Sequence, residues 1–288
     1  MAWTLVPNIL LPNYTWPHRV LGSVALASSI PPAPRLAHQT VRRLVGFLHS
    51  YLPRISHRYC AWLGIEFDNQ IVQLSFGLVL KWSDGTRLEE VSAMMIARSA
   101  GFPVPLVISY GDHPDTPHAP VSILMTRLPG QDLGLAHKHL SDEQRQTISK
   151  EMHTIESVMR SWPHPWGGER ICSVTGTSIK SVRVPNHSIG PYESESEFND
   201  HLLSVASEYH SPSRDVFQQI SNGHISGFID WESAGWYPEY WEFTTALRFC
   251  RKDFWWYKFV TELAGSEYTD EMESERALTS LTVDSYAW

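Results

Sequence analysis

Gly227-Phe228-Ile229-Asp230-Trp231-Glu232 runs on into Gly235-Trp236-Tyr237-Pro238-Glu239-Tyr240-Trp241-Glu242-Phe243. A short apolar run reads as a buried strand that delivers a carboxylate, Asp230, between Ile229 and Trp231, with an aromatic helix after it. Burying an ionised Asp in such company is costly unless something positive compensates it. A magnesium ion carrying phosphates would do so. The plainer alternative is a strand-end Asp that caps the next helix. The stretch by itself leaves both open.

Working outward, Leu78-Val79-Leu80-Lys81 ends a second apolar strand on a lysine, and Glu90 follows nine residues later on the first turn of a predicted helix. A buried lysine needs an anion. A helix packed across the strand can supply Glu90, leaving the ammonium oriented toward phosphates; the alternative is a strand-end lysine in solvent. Ile71–Trp82 predicts a strand pair joined around Phe76-Gly77, with Asp84-Gly85 as the next turn. Thr86-x-x-Glu89 reads as a capping box opening a helix to about Ala100, with Leu88, Val91 and Met95 inward. Val104–Tyr110 and Val121–Thr126 read as further strands, separated by an exposed loop over Asp112–Pro120.

The pattern before and after this unit differs. Residues 1–37 are irregular and Pro-rich, an N-terminal arm rather than a domain. A helix is expected from His38 to about Leu52, with Val41, Leu44, Val45, Leu48 and Leu52 on one face. After Leu128-Pro129-Gly130 the pattern turns helical. Ser141-x-x-Gln144 and Ser194-x-x-Glu197 each open a helix, and others start near Glu239 and Phe254. The predicted division is therefore an arm (1–37), a strand–strand–helix–strand–strand unit (38–128) and a mostly helical remainder (129–288).

Composition narrows the classes. The chain has 288 residues, a net charge of −8, 42% hydrophobic and 19% charged residues, as expected of a globular protein and not of a nucleic-acid coat. No run of Lys and Arg points to an anionic membrane. No apolar run reaches the roughly 18–20 residues a membrane span needs. Val20–Ala27 only faintly imitates a signal-peptide core. Cys60, Cys172 and Cys250 are too few and too scattered for a zinc site or a disulfide framework, so a reducing, cytoplasmic setting is expected. No Walker A loop, Gly-x-Ser-x-Gly or His-Glu-x-x-His motif offers another chemistry.

The Asp230–Phe243 run closely resembles the fungal branch of the aminoglycoside phosphotransferase/choline kinase-like family. Gly190-Pro191-Tyr192-Glu193-Ser194-Glu195-Ser196-Glu197-Phe198-Asn199-Asp200 is its other sharp piece, and the likeness covers the chain from about Ile71 onward. The resemblance implies an α+β, bilobal protein-kinase-like fold, with a small antiparallel-sheet N-lobe and a mostly helical C-lobe. It also implies transfer of the γ-phosphoryl of ATP, or of GTP, to a small-molecule hydroxyl with Mg2+, by positioning and electrostatics. Lys81 would then bind phosphates, Glu90 orient Lys81, and Asp230 coordinate magnesium. The Thr126 carbonyl and Leu128 amide would meet an adenine edge, with Met125 against the ring. Glu239 and Glu242 would either face a cationic acceptor or cap and solvate their own helix.

The chain departs from the family at its catalytic loop. Where a His-Gly-Asp-x-x-x-x-Asn motif is expected, His210-Ser211-Pro212-Ser213-Arg214-Asp215-Val216-Phe217-Gln218-Gln219-Ile220-Ser221-Asn222-Gly223-His224 stands. Asp215, with Gln219 four positions on, is the nearest remnant of the base. A strand and the loop read as excised together, leaving Asn222-Gly223-His224 as the turn into the metal-bearing strand. A missing general base alone removes about 10²–10⁴-fold in rate. Two outcomes follow: an impaired phosphotransferase, or a pseudokinase that binds nucleotide or a protein partner without turnover.

Overall fold

A computed structural model describes residues 6–181, 187–205, 218–248, 250–264 and 267–281. The architecture is mixed, a small antiparallel sheet with many helices. The chain forms two compact units, residues 1–151 with 217–232, and residues 152–216 with 233–288.

In the first unit, helices α1 (Gln39–His49) and α2 (Leu52–Leu63) precede the sheet. His38 caps α1 by accepting a hydrogen bond from the Thr40 amide. The single helix expected up to about Leu52 is thus two. Pro53 does not end the helical run, because proline in a first turn lacks only a donor that had no partner there. Strands β1 (Ile71–Leu74), β2 (Leu78–Lys81), β3 (Val107–Asp112) and β4 (Val121–Thr126) form an antiparallel sheet in the order β1-β2-β4-β3. The β1–β2 hairpin turns through Phe76 and Gly77, both at positive φ, where the strand pair was expected to join.

Helix α3 (Leu88–Ser99) covers one face of the sheet, and Val91 packs with Val121 and Ile123 there. Its N-terminus departs from the expected capping box. Arg87 occupies the cap position with no side-chain bond. The Thr86 hydroxyl instead accepts from the Ser83 amide and bonds the Ser83 hydroxyl, closing the Asp84-Gly85 turn. The opposite face carries Val72, Leu74 and Leu80, which pack with Leu52 of α2 and Leu124. Helix α1 lies against β3 so closely that a Cβ on Gly46 would overlap the Asp112 carbonyl, and one on Gly111 would overlap the Gly46 backbone. Glycine at both positions is what lets helix and strand meet.

The loop between β3 and β4 is not wholly exposed, contrary to expectation. His113 and Ala119 are buried, and the His113 ring stacks on Trp82 with centroids 4.0 Å apart. Stacking and a hydrogen-bonded ring nitrogen make an imidazole acceptable in a core. After β5 (Gln131–Asp132) and the short α4 (Leu133–Ala136), helix α5 (Asp142–Arg160) opens with the expected box. Gln144 accepts from the Ser141 amide at 2.9 Å, and the Gln144 amide donates to the Ser141 hydroxyl at 3.2 Å.

The second unit begins within α5 and holds strands β6 (Cys172–Ser173), β7 (Ile179–Lys180) and β8 (Ser188–Ile189), then α6 (Glu195–Val205). Ile171, Ile179, Ile189, Phe198 and Trp241 form one of its cores. The Glu197 amide donates to the Ser194 hydroxyl as expected, while the Glu197 carboxylate accepts from Glu193 instead of Ser194.

The chain then returns to the first unit as β9 (Gln218–Ser221) and β10 (His224–Phe228), joined by Asn222-Gly223, both at positive φ. The turn is the one expected. The strand before it, β9, pairs with β10 on one side and β5 on the other, so its backbone bonds are satisfied whatever its side-chain pattern. The second unit resumes with β11 (Gly235–Trp236), α7 (Trp241–Leu247), α8 (Trp255–Ala264) and α9 (Thr269–Leu281). Phe243, Leu247, Val260, Tyr268 and Met272 knit these three helices together.

Candidate functional site

Strand alternation sets the first residue of the site. Leu80 points to the α2 face of the sheet, so Lys81 points to the α3 face. Glu90 sits on the first turn of α3, and its Oε1 accepts a hydrogen bond from the Lys81 ammonium at 2.8 Å. The pair is buried, Lys81 6% exposed and Glu90 1%.

The third residue arrives from the far end of the chain by way of β10. That strand is held by three side-chain contacts. The His224 ring and the Ile225 amide both bond the Glu151 carboxylate, and the Ser226 hydroxyl donates to the Pro129 carbonyl. At its end the Phe228 amide donates to the Pro103 carbonyl. Two residues on, Asp230 adopts a left-handed backbone, φ 69°, which turns the chain into a short 3-10 helix over Trp231–Ser233. Asp230 Oδ1 then accepts from the Lys81 ammonium at 2.6 Å. Glu232 joins from that turn, its Oε2 3.7 Å from the same nitrogen.

The structure therefore brings Lys81, Glu90 and Asp230 together, and adds Glu232. Sequence reasoning missed Glu232. The available signal was its position two residues after Asp230, which a tight turn can place on the same side. Met125 on β4 pairs with Val79 on β2, so it shares the sheet face of Lys81, two residue pairs further along. The Thr126 amide and hydroxyl are both tied to Leu106, and the Leu128 side chain fills the space that a Cβ on Gly227 would need. In the second unit Glu242 meets Arg160 at 3.4 Å and Glu239 accepts from the Tyr268 hydroxyl. Asp215 lies outside the described residues.

Electrostatics define what the site can do. Burial works against the Lys81 charge, but Glu90 and Asp230 outweigh it, holding its pKa well above the ordinary lysine value. Burial pushes the Glu90 carboxyl up to about 7, against the opposing pull of Lys81. Asp230 and Glu232 add a smaller upward push on Glu90, because the one ammonium faces three carboxylates. One Glu90 oxygen, Oε2, is buried with no hydrogen-bond partner among the described residues. The surplus of oxygen donors over positive charge suits a hard cation. Among the described residues no group of three or more His, Cys, Asp or Glu could hold a metal ion. Magnesium commonly takes one or two protein carboxylates and completes its shell with phosphates and water. Asp230 and Glu232 are the less buried carboxylates of the cluster and fit that pattern of one or two protein ligands.

No protein-family model matches the chain, and no curated protein matches it. Among solved structures it is similar to a thermostable mutant of aminoglycoside phosphotransferase APH(4)-Ia in a ternary complex with ADP and hygromycin B. The identity is 14% over 81% of this chain and 99% of that chain, with a TM-score of 0.37. Among the described residues no helix is long and apolar enough to cross a membrane.

Proposed function

We propose that the chain is a kinase-like phosphotransferase-family protein that binds ATP with Mg2+ at Lys81, Glu90, Asp230 and Glu232. Its ancestral reaction is O-phosphorylation of a small-molecule hydroxyl, impaired here by the lost catalytic loop. The observation that carries the reading is one ammonium held at 2.8 Å by Glu90 and at 2.6 Å by Asp230, residues drawn from a strand, a helix and a distant turn. An ion pair assembled from parts so far apart in sequence is a costly way to stabilise a core, since an apolar trio of similar volume does as well or better. It is an economical way to hold a charge ready for an anion.

In this reading Glu90 fixes the Lys81 side chain, and Lys81 turns from Asp230 toward phosphate oxygens as nucleotide enters. Asp230 and Glu232, freed of the ammonium, would hold magnesium, and the ion would neutralise phosphate charge when bound. No His-Gly-Asp-x-x-x-x-Asn motif stands before Asp230. Transfer therefore lacks a positioned base, and a rate about 10²–10⁴-fold below that of a complete site is expected. That same absence favours a second reading, a pseudokinase that binds nucleotide and leaves it unchanged.

Thermal unfolding of the full chain with MgATP, and with MgGTP in parallel, tests binding. A ligand at about a hundredfold its Kd should add roughly 2.7 kcal/mol of stability, and Asp230→Asn should abolish the magnesium-dependent part. Slow ATP turnover lost in Asp230→Asn selects the phosphotransferase; saturable binding with no turnover selects the pseudokinase. No stabilisation by either nucleotide overturns both.

A further inference from the structure

We infer that the outward face of α1 and α2 is a docking surface for an anionic phospholipid bilayer. Two independent observations meet there. The first is charge segregation hidden by the overall balance. Residues 1–65 contain six arginines, no lysine, and no Asp or Glu, while the other 223 residues carry 17 basic and 31 acidic side chains; three of the six, Arg43, Arg54 and Arg58, are exposed on α1 and α2, whereas Arg42 pairs with Asp112 and Arg19 bonds the Arg98 carbonyl.

The second is an inverted helix. Helix α1 meets the sheet with Gly46, His49 and Arg42, through the Asp112 backbone, the Ser109 and Ser122 hydroxyls and the Asp112 carboxylate. Its apolar side chains, apart from the half-buried Val45, point away. Val41, Leu44, Leu48, Tyr51 and Ile55 follow one another at alternating spacings of three and four, Phe47 stands beside them, and Trp62 continues the row on α2. Each is between 44% and 60% exposed. Ser50 and Tyr51 keep right-handed helical backbone angles, so the row is not broken between the helices.

The chemistry of the row decides its occupant. Arg43, Arg54 and Arg58 are exposed on the same two helices, and the Arg54 guanidinium lies 5.7 Å above the Tyr51 ring. Aromatic rings with arginine at the same level suit the boundary between headgroups and acyl chains, where an amphipathic helix lies in the plane. A second copy of this face would bring arginine against arginine with no carboxylate to offset it. An anionic surface also repels the acidic remainder of the chain, so approach through this face is the favoured orientation.

Co-sedimentation of the full chain with vesicles tests this. Phosphatidylcholine vesicles containing about 30 mol% phosphatidylserine should bind it, and phosphatidylcholine alone should not. Raising salt from about 0.1 M to about 0.5 M should weaken binding by shortening the screening length. Arg54→Gln with Arg58→Gln should reduce partition roughly 30-fold, and Phe47→Ser with Ile55→Ser by at least about tenfold. All four side chains are exposed, and unchanged thermal melts would show that these variants keep their fold. Three results would overturn the proposal: equal partition onto both vesicle types, insensitivity to the substitutions, or salt-independent binding. So would a dimer of the free chain that the same substitutions dissolve, or capture of an acidic amphipathic helical peptide by a chain that ignores vesicles.

Discussion

Helices α3 and α1 both rest on the same four-stranded sheet, yet they sit on it in opposite ways. Helix α3 buries Val91, Met94 and Ile96 together with one carboxylate, Glu90. Helix α1 buries a glycine and a histidine and leaves Val41, Leu44 and Leu48 outside. The difference lies in what the sheet offers each helix. Beneath α3 are Val121 and Ile123. Beneath α1 are the Ser122 and Ser109 hydroxyls and the edge carboxylate of Asp112, which a leucine could not satisfy. An amphipathic pattern predicts that a helix has two faces, and its partner decides which one goes in.

The comparison breaks most severely at Lys81. Lys81→Met strands Glu90 in the core and should cost about 3–5 kcal/mol, measured by urea unfolding. Adding Glu90→Leu should recover most of that loss, and a double mutant no more stable than Lys81→Met would mean the two are not coupled. Next comes the helix–strand contact. Gly46→Ala should cost about 1–3 kcal/mol, because a methyl group cannot fit against the Asp112 carbonyl without moving α1 off the strand.

A pH titration separates the two helices further. His49 is held down to about 4, mainly by burial and then by His113, which shares the Ser122 hydroxyl with it. His113 is itself lowered by burial, and the Asp112 and Arg42 charges stand beside this polar layer. A folded-state pKa below the unfolded value means that the unfolded chain takes up the proton first. Stability from His49 is therefore present above about 6.5 and lost as pH falls toward about 4. The loss should be on the order of 1–2 kcal/mol once solvent screening is allowed for, and it should vanish in His49→Gln. Glu90 behaves in the opposite sense. Its raised pKa makes its burial least costly below about 4.5, with that relief lost as pH rises through about 7. The smallest effect belongs to the outer row: Leu44→Ser should change stability by less than about 0.5 kcal/mol. A larger loss would mean that the outward face of α1 is packed in solution.

Much of the site was readable because strands announce their ends. An apolar run closing on Lys81 and another leading to Asp230 each specify a side chain that must find an opposite charge, and Glu90 lies at the helical position that can reach Lys81. Glu232 escaped because its placement depends on the left-handed backbone at Asp230, a local angle that no spacing rule encodes. Helix α2 escaped because the apolar spacing was followed only to about Leu52, and a proline in the first turn of the next helix costs it no hydrogen bond. Thr86 looked like a helix cap because its spacing to Glu89 is right, but the nearer Ser83 amide claimed its hydroxyl. The burial of His113 was hidden by a Pro- and His-rich loop composition, and the tertiary contacts with Trp82 and Ser122 explain it.

The backbone angle at Asp230 also governs how that residue is best interrogated. Asparagine tolerates the left-handed region nearly as well as aspartate, whereas alanine does not. An amide in place of the carboxylate thus subtracts one negative charge and leaves the main-chain path intact, whereas a methyl side chain would disturb both at once.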